Sequence, residues 1–228
     1  MARKSLRQRV LAGETVLGSM MFELLGPAIP QLLVNAGAEY VIYDMEHTGT
    51  SLEIIKAQIS YCRGLPIAPM APVPRAIVEA THYPPRGRRG AAFGFAHDDY
   101  AAGDPKAKMR TADARTLVIA QIETERGLEQ AEAIAAVDGI DVLWVGHFDL
   151  TNFLGIPGQF DNPIYVKAVD RIVAAGRKHK KGLGFMAASA DWARQYKKLG
   201  FNMLAAGPDQ ALFEAGVRGI LSSVEDGR

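Results

Sequence analysis

The chain has 228 residues, 48% of them apolar and 22% charged, and its 26 basic and 25 acidic side chains leave a formal charge of +1. That balance excludes a disordered or fibrous chain and offers no basic surplus for a nucleic-acid backbone. The single cysteine, Cys62, excludes an internal disulfide and suits a reducing compartment.

Residues 1–14 are basic and lack the apolar run of a secretory leader, and the apolar stretch 16–34 is interrupted by Glu23, Pro27 and Pro30. A cytoplasmic protein without a membrane span is therefore expected. Seven strand-like runs follow one another: Val16 to Met21, Tyr40 to Asp44, Pro66 to Ala71, Leu117 to Ile122, Val142 to Gly146, Gly182 to Ala187 and Phe201 to Ala206. Between them lie segments of helical periodicity, Leu24 to Ala36, Ser51 to Cys62, Glu125 to Ala136, Pro163 to Lys178, Ala190 to Leu199 and Asp209 to Leu221. Ser51 and the pair Asn162 and Pro163 are helix-start signals. No strand is expected between Pro72 and Thr116, and residues 95–115 read as a polar loop with one helical turn.

This alternation predicts βα units and a parallel sheet in one domain, 1–228. Apolar strands buried on both faces suit a (β/α)8 barrel, whose active sites gather at the carboxyl ends of the strands. A doubly wound sheet is the competitor, weakened by the absence of a G-x-G-x-x-G turn after an early strand.

Three strand ends carry chemistry. The segment VIYDMEH, 41–47, opens as a strand and then delivers Asp44, Glu46 and His47, charged groups that gain nothing from burial unless something pairs with them. Glu123 follows the run LVIAQI, and Asp149 stands just past another strand beside Gly146 and His147. Glu123 or Asp149 alone reads as an ordinary helix-start carboxylate. Together with VIYDMEH they read as a site, because strand ends in a barrel converge on one mouth. A carboxylate pair with open positions suits Mg²⁺ or Mn²⁺, which would hold a 2-oxo acid while an imidazole carries a proton. His82, His97 and His179 lie among polar residues and are expected to be solvated. Arg86, Arg88 and Arg89 form a basic loop able to reach an anion or a neighbouring subunit.

Five segments in register, AGAEYVIYDMEH (36–47), YPPRGRRG (83–90), QIETERG (121–127), GIDVLWVGHFDL (139–150) and GFNMLAAGPD (200–209), resemble the HpcH/HpaI aldolases, class II pyruvate aldolases. The resemblance spans nearly the whole chain and implies a TIM barrel of the phosphoenolpyruvate/pyruvate type. It implies Glu123 and Asp149 as ligands of Mg²⁺, Mn²⁺ or Co²⁺, His47 as general base through a water, Asp44 orienting its ring, and Glu46 supporting them from behind. Gly146, His147 and Phe148 stand where the family's Gly-Pro-x lines the keto-acid pocket. Family members cleave 4-hydroxy-2-oxo acids into pyruvate and an aldehyde and assemble as hexamers, trimers of dimers with the last helix swapped.

Two departures accompany the resemblance. Pro72 occupies the position of a family Arg that contacts the keto acid, which leaves decarboxylation of oxaloacetate-like 2-oxo diacids, or keto-acid binding with little turnover, as alternatives. The family also has a strand that this sequence lacks between Arg75 and Ala76, and a closed barrel does not lose an interior strand without reorganising. Residues are therefore expected to be missing at that junction.

Overall fold

The structure is a computed structural model that describes residues 4–45, 47–71, 81–95, 98 and 100–225. Pro72, the junction of Arg75 with Ala76, Glu46 and His97 lie outside the described residues. In chain order the described elements are α1 (Leu6–Leu11), β1 (Val16–Met21), α2 (Ile29–Asn35), β2 (Tyr40–Tyr43), α3 (Leu52–Tyr61), β3 (Ala68–Met70), α4 (Pro105–Arg115), β4 (Ile119–Ile122), α5 (Glu125–Glu129), α6 (Ala131–Ala136), β5 (Val142–Val145), α7 (His147–Phe153), α8 (Pro163–Lys178), β6 (Gly182–Ala187), α9 (Ala190–Leu199), β7 (Met203–Ala206) and α10 (Asp209–Glu225). They fall into two compact units, residues 4–14 with 81–183 and residues 15–71 with 184–225.

In the second unit the strand order is β3-β2-β1-β7-β6, and every pairing is parallel. All four residues of β2 are buried, as expected of a strand covered on both faces. Met21 pairs with Tyr43, so the carboxyl ends of β1 and β2 finish level with each other. Gly200 ends α9 in the left-handed conformation at φ 104°, which glycine adopts without strain, and turns the chain into β7.

In the first unit β4 and β5 pair in parallel with Ile122 opposite Val145, and Gly182 at the start of β6 donates to the Asp141 carbonyl. Asp141 anchors this unit. Its carboxylate is buried, receives both Nε and Nη2 of Arg7 from α1, and accepts the Val118 backbone N–H at 3.0 Å.

All seven expected strands are present, several one or two residues shorter. Phe201 and Asn202, for instance, are taken up by the turn after α9, where Phe201 N–H donates to the Tyr196 carbonyl. Four stretches depart from the expected helices, one of them α7 (His147–Phe153), where no helix was expected. Residues 105–115 form an 11-residue helix, started by Asp104 capping Ala107 N–H and by Pro105 at its first position. Residues 6–11 form a helix closed by a reciprocal Ser5 and Gln8 capping box. The stretch 125–136 is interrupted at Gln130. Among the described residues, no helix is long and apolar enough to cross a membrane.

Candidate functional site

Glu123 is the residue after β4 and Gly146 the residue after β5. Since Ile122 and Val145 are register partners, the two lie side by side, and Gly146 N–H donates to the Ile122 carbonyl at 3.2 Å. A Cβ on Gly146 would stand 2.4 Å from Glu123 Oε2 and 2.7 Å from Glu123 Cβ. The glutamate side chain therefore occupies the space that the glycine leaves open. Gln121, two residues back on the same face of β4, donates from Nε2 to Glu123 Oε2 at 2.5 Å. Sequence reasoning missed Gln121, although its i, i+2 spacing from Glu123 on a strand was a usable signal.

Asp149 lies in the first turn of α7, half-buried, three residues after Gly146. His147 is buried, with its ring centroid 4.8 Å from Phe148 and 5.4 Å from Phe160, and Phe148 meets Phe160 edge-on at 5.1 Å. Burial pulls the His147 pKa down to about 4, so the imidazole is neutral near neutral pH. Phe148 stays 59% exposed. His147 thus sits inside an aromatic cluster, and Phe148 is the exposed member of it.

In the second unit, Asp44 follows β2 and is buried, and its backbone N–H donates to the Met21 carbonyl at 2.9 Å. Its carboxylate Oδ2 accepts the backbone N–H of His47 at 2.8 Å, and Thr48 Oγ1 donates to its carbonyl at 3.3 Å. Asp44 thereby fixes the backbone of the segment that carries His47. The His47 side chain is exposed, with its ring centroid 6.4 Å from that of Phe22. His82, expected to be solvated, is fully buried, with Nδ1 3.0 Å from Thr81 Oγ1. Arg86 approaches Asp138 at 3.8 Å and Arg89 lies 4.8 Å over the Tyr83 ring, so both of these loop arginines are engaged within the chain.

Among the described residues, no group of three or more His, Cys, Asp or Glu side chains is arranged to hold a metal ion. The group held at this strand end is the Glu123 carboxylate, an oxygen donor that suits a hard cation keeping waters or substrate oxygens in its remaining positions. The pocket left by Gly146 holds Glu123 at its strand end, and Gln121 occupies one of its oxygens. The residues present fit such an ion.

A family model for HpcH/HpaI aldolase/citrate lyase matches residues 50–215. The chain belongs to this family. HpcH/HpaI members are carbon–carbon lyases, and the curated relatives carry matching names. A hydroxypyruvate/pyruvate aldolase from Deinococcus radiodurans is 28% identical, over 96% of this chain and 89% of that protein. A 5-keto-4-deoxy-D-glucarate aldolase from Salmonella arizonae is 26% identical, over 91% of this chain and 92% of that protein. The first alignment runs over 252 residues against a chain of 228, so that relative carries segments this chain lacks, consistent with a missing strand.

Solved structures agree on the fold. An HpcH/HpaI aldolase from Desulfitobacterium hafniense superposes with a TM-score of 0.89 at 23% identity, covering 98% of this chain and 97% of that one. An HpcH/HpaI aldolase/citrate lyase family protein from Burkholderia cenocepacia gives 0.86 at 27% identity, covering 98% of this chain and 100% of that one. The α/β architecture is TIM-barrel-like, as expected.

Proposed function

We propose that this protein is a divalent-cation-dependent aldolase that cleaves a 4-hydroxy-2-oxo acid into pyruvate and an aldehyde. The observation that carries the reading is the Glu123 cradle: a carboxylate set at a strand end by Gly146 and Gln121, with Asp149 in α7, three residues after Gly146. Glu123 and Asp149 would hold Mg²⁺, Mn²⁺ or Co²⁺. When bound, such a cation supplies positive charge where negative charge develops on the keto oxygen.

The remaining work falls to side chains. His47 takes the proton from the 4-hydroxyl, the C3–C4 bond breaks to release the aldehyde, and the electron pair left on C3 is protonated to give pyruvate. Asp44 holds His47 in place through its backbone N–H. Gly146, His147 and Phe148 form the wall beside Asp149, and the buried, neutral His147 adds no charge to it.

Helix α10 supports self-association. Its residues 210–223 are exposed and include Leu212, Phe213, Val217, Ile220 and Leu221, an apolar surface suited to a second copy of the chain. We place the protein in the cytoplasm as a homo-oligomer, a hexamer with this helix exchanged, and light scattering would read the state. The functional test is release of pyruvate from 4-hydroxy-2-oxo acids with Mg²⁺ or Mn²⁺ added. Release that survives both EDTA and His47→Ala overturns the reading, and oxaloacetate turnover without aldol cleavage replaces it with decarboxylation.

A further inference from the structure

Asp209 is a carboxylate at 3% exposure, and among the described residues no ion pair includes it. A buried carboxylate without a cation must be satisfied by hydrogen bonds. Asp209 is the first residue of α10, where a carboxylate would ordinarily face the unpaired N–H groups of its own first turn. Its oxygens are instead spent on three consecutive backbone N–H groups far back in the chain, those of Phe22 at 3.0 Å, Glu23 at 2.9 Å and Leu24 at 2.5 Å. Three successive N–H groups turned onto one anion form a nest, a conformation that the anion itself holds together.

The nest occupies the chain directly after β1. Its first residue, Phe22, places its ring 6.4 Å from that of His47, with the planes inclined by 32°, within the range of a favourable aromatic contact. His47 is otherwise exposed, and Asp44 holds only its backbone through the bond described above. Phe22 is thus the ring against which the imidazole rests, and Asp209 determines where Phe22 stands.

We propose that Asp209 is a positioning residue for His47, acting through the nest at 22–24 and the Phe22 ring. The inference rests on the reading of His47 as the base. Because Asp209 also begins α10, the first turn of that helix and the ring beside His47 are held by one carboxylate, so the seating of α10 reaches the base.

The test uses the full chain carrying ¹³C,¹⁵N-histidine, with the His47 ring signals assigned by His47→Gln. Asp209→Asn keeps the shape but sets an NH₂ group against the N–H nest, and Phe22→Leu removes the ring while leaving the nest intact. Both variants are expected to shift the His47 ring resonances and leave those of His82 and His179 in place. Both are expected to lower kcat about ten- to hundred-fold, the range for small misplacements, with KM within two-fold. Should Asp209→Asn fail to fold, Phe22→Leu decides alone. Unmoved His47 resonances with unchanged kcat in a folded variant would reduce Asp209 to a structural residue and overturn the proposal. His47→Gln separates the two readings: if it still releases pyruvate, the base assignment fails, while the resonance shifts still decide whether Asp209 positions the ring.

Discussion

Replacing Gly146 with alanine adds a single methyl group at a backbone conformation, φ −83° and ψ 82°, that any L-residue can adopt. The whole effect therefore comes from what the methyl meets. It would lie 2.4 Å from Glu123 Oε2, 2.7 Å from Glu123 Cβ and 3.3 Å from Gln121 Nε2. Rotation of the glutamate side chain relieves the first contact but not the second, because Cβ is fixed to the β4 backbone. Ordinary carbon–carbon contact is about 3.5–4 Å, so the ends of β4 and β5 must part by roughly 1 Å or Glu123 must leave its strand-end position. Overpacking of this kind costs about 1–3 kcal/mol, a fall in Tm of about 2–12 °C for a chain of this size. Cation binding should suffer more than stability, since Mg²⁺ demands oxygens near 2.1 Å and disturbed ligand supports cost about 10–100-fold in affinity. Titration of the metal-free variant with Mn²⁺, followed by calorimetry or electron paramagnetic resonance, should show a Kd at least about ten-fold weaker than wild type. A folded Gly146→Ala protein with wild-type Mn²⁺ affinity and pyruvate release would refute the assignment of Glu123 as a ligand.

Three further outcomes are expected. Glu123→Gln keeps the volume but removes the charge, so Mn²⁺ binding measured by calorimetry should fall about 100-fold or more while Tm stays near wild type. Asp141→Ala strips the partner from the Arg7 guanidinium and from Val118 N–H. It should cost roughly 3–5 kcal/mol in urea unfolding, as removal of one member of a buried ion pair does. The Asp98 carboxyl is held down to about 2 from its ordinary 3.8, chiefly by the Lys108 hydrogen bond at 2.6 Å and then by Gly94 N–H. A folded pKa below the unfolded one means that the carboxylate's stabilisation is complete above 3.8 and is lost as pH falls through about 2. Protection of the Gly94 and Phe95 amides, taken as the exchange rate relative to the unfolded chain at the same pH, should therefore hold at pH 4 and fall towards pH 2, and Asp98→Ala should lack it at both.

The strands were legible because parallel strands buried on both faces are continuous apolar runs, as in β2 and β5, where no residue is exposed. The helix α8 was legible to the residue because Asn162 and Pro163 mark its start and its buried positions recur with helical spacing. The helix α4 was not. Its sequence, PKAKMRTADAR, has no apolar stripe and buries only Ala112, so periodicity carries no signal there. The decisive cue was local, Asp104 followed by Pro105, a cap and first-turn pair as clear as the one at Asn162. The burial of His82 was hidden for a different reason, since the arginine- and glycine-rich loop that follows it reads as solvated, although Tyr83 beside it is buried as well.

At the site, residue types were legible but their division of labour was not. Gly146 was expected in the substrate wall because it stands in the family's Gly-Pro-x position, and the fold gives it a further task, making room for Glu123. Its action on Glu123 depends on the pairing of Ile122 with Val145, and a one-residue slip in that register would turn the glycine away and set a side chain against the carboxylate. Asp44 was likewise expected, from the resemblance, to orient the His47 ring, and the bond that joins them runs to the backbone N–H while the ring lies near Phe22. Phe22 is held by Asp209, 187 residues along the chain, a link that no local pattern contains. Chemistry concentrated in short motifs can be read from a sequence. The groups that aim it cannot, because strand register and long-range hydrogen bonds exist only once the chain is folded.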